Sequence, residues 1–89
     1  MPTVDINGTQ VEYDPAMSDS WDVADLLVTV EDAVPLSQYE KLANMFKIVE
    51  LCTGLDKQRF VEMCGGGRIS RDEMAQHLGH TIAQLISKN

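Results

Sequence analysis

No lysine or arginine occurs in the first 40 residues of this 89-residue chain. That stretch holds nine acids, whereas residues 41–89 hold five acids and seven bases, so the net charge of −7 divides into −9 and +2. So acidic a surface is repelled by phosphate backbones. General nucleic-acid binding is therefore not expected without a concentrated basic face, which Arg68 and Arg71 do not supply. Long apolar runs are lacking too. No uninterrupted stretch reaches membrane-spanning length, and MPTVDINGTQ has neither the basic flank nor the apolar stretch of a secretory signal. A cytoplasmic chain without membrane contact is the expectation. Cysteine is equally sparse: Cys52 and Cys64 cannot build a disulfide scaffold and fit neither a C-x-x-C pair nor a complete zinc pattern. They read as small half-buried thiols.

What is present is the composition of an ordinary globular protein, 44% hydrophobic and 24% charged, which argues against disorder throughout. At this length one small domain, residues 1–89, buries roughly two-thirds of its unfolded surface and leaves little room for a deep substrate cleft.

The clearest local signal is TVDINGTQVEYD. Asn7-Gly8 favours a type I′ turn between two runs that alternate apolar and polar residues, giving a β-hairpin over residues 3–13. With those two residues as the loop, Ile6 faces Thr9, Val4 faces Val11 and Pro2 faces Tyr13. Val4, Ile6, Val11 and Tyr13 then share one face. A lone hairpin is marginal in water, so that face is expected to pack on helices, although its edges could also pair with a partner.

Four helical patterns follow. Asp19 and Asp22 are placed to cap a helix over 19–33 with an inner stripe of Val23, Leu26, Leu27, Val30 and Ala33, although LLVTV is also good strand sequence. After Pro35, Ser37 and Glu40 form a capping box for a helix over 38–53, and Gly54 is suited to end it. Its main stripe is Leu42, Met45, Phe46, Val49 and Cys52, widened by Ile48 and Leu51, which marks it as the central helix. Asp56 caps a short helix over 56–64 that stops at three glycines, read as a flexible joint. Ser70 and Glu73 form a second capping box for a helix over 71–87, with Met74, Leu78, Ile82, Leu85 and Ile86 facing inward. The expected fold is mainly α with a small N-terminal β-hairpin, a compact bundle of about four helices. Self-association through the last helix is an alternative use of the same inward-spaced residues.

Candidate chemistry is thin. GGGRIS precedes a helix, where amides attract anions, but it lacks the spacing of a phosphate loop and any strand-to-crossover context. His77 and His80 share one helical face but form too small a ligand set for catalytic zinc, and neither cysteine has a base that sequence can place beside it. No cofactor, metal or catalytic residue is assigned, and a non-enzymatic role is expected.

DPAMSDSWDVAD, residues 14–25, has four aspartates and the only tryptophan. It lacks the spacing and distal glutamate of a calcium loop, so Asp19 and Asp22 are read as helix caps, with Asp25 and Glu31 extending an acidic outer face. Trp21 lies beside the apolar stripe rather than in it. The favoured reading buries it against Tyr13 or Phe46, and the alternative leaves it exposed as an anchor for a partner.

The succession VDINGTQVEYD, SWDVADLLVTVEDA, LCTGLDKQRFVEMCGG and a final amphipathic helix resembles the small tail assembly chaperones of long-tailed bacteriophages across nearly the whole chain. The resemblance implies a mostly helical domain that binds the long, aggregation-prone tape measure protein while the tail tube assembles. It supplies no active-site residues. An acidic surface that maintains solubility around an apolar strip suits that role, with Trp21, Leu26, Leu27 and Val30 as candidate contacts. The alternative is an acidic regulatory adaptor or inhibitor that masks a basic surface of a protein partner.

Overall fold

A computed structural model describes residues 1–30 and 37–86. The chain forms strands β1 (Thr3–Ile6) and β2 (Thr9–Glu12), then helices α1 (Pro15–Ser18), α2 (Trp21–Val30), α3 (Gln38–Thr53), α4 (Lys57–Met63) and α5 (Arg71–Ile86). It is mainly helical, with a two-stranded antiparallel hairpin and, among the described residues, four helices of seven residues or more plus the short α1.

The hairpin has the expected register, with Val4 opposite Val11 and Ile6 opposite Thr9. Asn7 (φ 50°) and Gly8 (φ 93°) both take the left-handed conformation that a type I′ turn requires. Three polar contacts tie the hairpin to the helices. The Asn7 side-chain amide donates to the Met63 carbonyl at 2.9 Å, covering an acceptor at the end of α4. The Asp14 N–H donates to the Cys52 carbonyl at 2.9 Å, fixing the hairpin exit on the end of α3. Gln84 of α5 closes the outer edge of β1: its Oε1 accepts the Asp5 N–H and its Nε2 donates to the Asp5 carbonyl, each at 2.8 Å. One side-chain amide thus stands in for a third strand at that position.

The helix ends follow local chemistry. Ser37 and Glu40 complete the capping box of α3, and Gly54 (φ 81°) ends that helix in the left-handed conformation. Asp56 caps α4 by accepting the Arg59 N–H at 2.9 Å, and Ser70 with Glu73 opens α5. The glycines after α4 close that helix by hydrogen bonds. Gly66 N–H reaches the Val61 carbonyl at 2.8 Å and Gly65 N–H the Glu62 carbonyl at 3.4 Å, the crossed pair of a Schellman motif. What the sequence reads as a joint is a satisfied helix terminus.

Two expectations are corrected at the start of α2. Pro15–Ser18, which falls between the expected hairpin and the expected helix over 19–33, is itself a helical turn with Asp14 as its cap, accepting the Ala16 N–H at 3.0 Å. Asp19 consequently ends α1 instead of opening α2. Ser20 takes the capping position: its carbonyl accepts from Ala24, and its hydroxyl lies 3.4 Å from the Val23 nitrogen. The expected continuation of α2 to residue 33, the acidic contribution of Glu31, the break at Pro35 and the extension of α5 to residue 87 lie outside the described residues.

The core draws on the hairpin and on four of the helices: Val4, Ile6, Val23, Ile48, Val49, Cys52, Phe60, Leu78, Ile82 and Leu85, with Cys64 just beyond α4. Phe60 meets Phe46 edge to face at a centroid distance of 5.9 Å. Thr81 is the buried polar residue among those described, and its hydroxyl donates to the His77 carbonyl. Leu51 and Ile86, expected to face inward, are partly exposed because α3 and α5 are each covered over less than their whole apolar arc. No described helix is long and apolar enough to cross a membrane.

Candidate protein-binding surface

Helix α2 lies at the flank of the molecule, packed on α3 and the short α1. Its inner face carries Val23, fully buried, with Leu26, Leu27 and Val30 half-buried against the core. At about 100° per residue these four fall on one side of the helix, and Trp21 falls roughly opposite Val30. Trp21 is 72% exposed. The expectation that it closes the core against Tyr13 or Phe46 is therefore corrected. The inner stripe fixes the rotation of α2, and that rotation turns position 21 outward whatever tryptophan does on average.

Of the four proposed contact residues, Trp21 lies open, while Leu26, Leu27 and Val30 are half-buried against the core, Leu26 also bordering a surface groove. Sequence reasoning missed Val28, which is 46% exposed. The signal was available, because residues 21 and 28 are seven apart and lie within roughly 20° of each other on the wheel. Between them sits half-buried Ala24, so Trp21, Ala24 and Val28 follow a three-then-four spacing. Asp22 and Asp25 are exposed on one flank of that line, and neither meets a lysine or arginine among the described residues. On the other side of that flank, Leu26 joins Leu51, Lys47 and Glu50 in a shallow groove between α2 and α3.

The remaining candidates were placed by the fold as follows. His77 and His80 border a surface depression with Asp5, Asn7, Gly8, Glu73 and Gln76. Glu73 is already held by Ser70, and no group of three or more His, Cys, Asp or Glu among the described residues could hold a metal ion. Both cysteines are buried free thiols. Burial, with a smaller contribution from the negative charge of Asp14, pushes Cys52 up to about 11. Burial also raises Cys64. Such thiols stay protonated at neutral pH and lack the thiolate character of a nucleophile. In the GGGRIS segment, the Gly65 and Gly66 amides are engaged with α4 and Ser70 with Glu73, so these groups are not free to cradle an anion.

Compared with protein-family models, with curated proteins and with solved structures, the chain matches none.

Proposed function

We propose that this protein is a non-enzymatic binding module that covers an apolar segment of another protein. The observation that carries the reading is the exposure of its only tryptophan beside exposed Val28 on the outer face of α2. A large aromatic ring left in water in so small a protein is costly unless a partner covers it, and tryptophan is enriched among the anchors of protein interfaces. The acidic first 40 residues keep such a surface soluble between encounters. The resemblance in element order to phage tail assembly chaperones makes the tape measure protein the leading partner, with action in the host cytoplasm during tail morphogenesis.

Coexpression tests this reading. The wild-type chain should raise the soluble yield of a tape measure protein encoded beside it and copurify with it, and Trp21→Ala should reduce both effects. No change in yield and no copurification would overturn the chaperone reading. The acidic adaptor is favoured by one observation, that Asp22 and Asp25 beside the apolar line meet no lysine or arginine among the described residues. An interface that is mainly electrostatic would lose association rate steeply with salt, whereas a mainly apolar one would lose little.

A further inference from the structure

We infer that the outer face of α2 docks a cationic amphipathic helix, with Lys or Arg of the partner set against Asp22 and Asp25. The inference rests on reading that face as a binding surface and adds the chemistry of what it binds. Trp21, Ala24 and Val28 reproduce the a–d–a spacing of a two-helix seam, and Asp25 then occupies an e position, where a charge selects the partner. The seam runs about 10 Å along the helix, two turns, which suits the side of another helix.

Charge decides among the occupants. A second copy pairing through α2 would bring Asp22 and Asp25 against their own counterparts; Lys47 of α3, which borders that flank beside Leu26, is matched by Glu50 in the same groove, so the face stays net acidic and the pairing repulsive. An anionic membrane surface or a nucleic acid meets the same obstacle. A helix with an apolar stripe and basic flanks satisfies both the seam and the acids beside it.

The sole tryptophan supplies the measurement. The probes are two synthetic helical peptides of about three heptads, with identical leucine stripes and either lysine or glutamate elsewhere. The Leu–Lys peptide should shift Trp21 emission to the blue on binding, and the Leu–Glu peptide should not. Asp22→Lys with Asp25→Lys should weaken binding by about tenfold or more. Glu12→Lys with Glu62→Lys makes the same change in net charge at exposed sites off α2 and should weaken it far less. Should the lysines unfold α2, as far-UV circular dichroism would reveal, Asp22→Asn with Asp25→Asn is compared with Glu12→Gln and Glu62→Gln instead.

Equal binding of the two peptides, or equal weakening by the two charge-matched pairs, would overturn the inference while leaving the apolar-capture reading intact. No emission shift with either peptide would overturn it as well. Failure of coexpression together with specific Leu–Lys binding would instead remove the tape measure reading and leave the cationic-helix site standing.

Discussion

Replacing Trp21 by alanine should hardly change the stability of the protein. With the side chain 72% exposed, only about a quarter of a tryptophan's roughly 200 Å² is covered on folding. At about 25 cal/mol per Å² that cover contributes roughly 1.2 kcal/mol. Alanine retains part of it and the unfolded chain already buries some, so the expected loss is below about 1 kcal/mol. Phe60, fully buried and set edge to face against Phe46, is the internal reference: Phe60→Ala should cost about 3–5 kcal/mol. The assay is urea denaturation followed by far-UV circular dichroism, because the variant has lost its only tryptophan. In the wild type, emission from Trp21 should be red-shifted and readily quenched by acrylamide. A loss of 3 kcal/mol or more for Trp21→Ala, or a blue-shifted and protected emission, would mean that the ring is a core element and that the outer face of α2 has no anchor.

Two further outcomes test the packing. Gln84→Ala leaves the part-buried N–H and carbonyl of Asp5 without their side-chain partner, which should cost about 1–3 kcal/mol and speed exchange of the Asp5 amide relative to that of Val4. Cys52 predicts the alkaline behaviour: its pKa is raised from 9.0 to about 11 in the folded state, so the thiol favours folding fully below pH 9.0 and that contribution falls away as pH rises to about 11. Cys52→Ala, weaker overall through lost packing, should have a flatter stability profile by about 2 kcal/mol across that window, and equal slopes in the two proteins would refute the assignment.

Where chemistry is local, the sequence foretold the fold closely. Asn7-Gly8 set the hairpin register, and the two Ser-x-x-Glu boxes and Gly54 set both ends of α3 and the start of α5, because each device satisfies backbone groups within a few residues of itself. Of the two aspartates read as caps, Asp22 does lie in the first turn of α2, but Asp19 ends α1 and Ser20 opens α2, while Asp14, given no capping role from the sequence, caps α1. Asp14-Pro15 can open a helical turn as readily as a simple bend, and α1 displaced the start of α2 to Ser20. Tertiary partners without a sequence signature were not legible. Gln84 reaches Asp5 from 79 residues away, and Arg71 donates to the Tyr39 hydroxyl at 2.6 Å across the starts of α5 and α3. Trp21 was legible in the direction of the α2 stripe and misread from the average habit of tryptophan. A stripe of four apolar residues sets the rotation of a helix, and one aromatic residue on the opposite side cannot reverse it.

That rotation also explains how an exposed ring and an acidic half-chain suit each other. An outward Trp21–Val28 line on a neutral helix would invite a second copy to bury it, since two such helices form a self-complementary seam. Asp22 and Asp25, with no base anywhere in the first 40 residues, make that pairing repulsive without covering the ring. Gln84 acts alike at the hairpin, occupying the Asp5 edge of β1 where another strand could add. Both features oppose association of like with like. They leave the α2 face open to a partner that brings positive charge of its own, so the acids that oppose pairing of two α2 faces are the same ones that a cationic partner would meet.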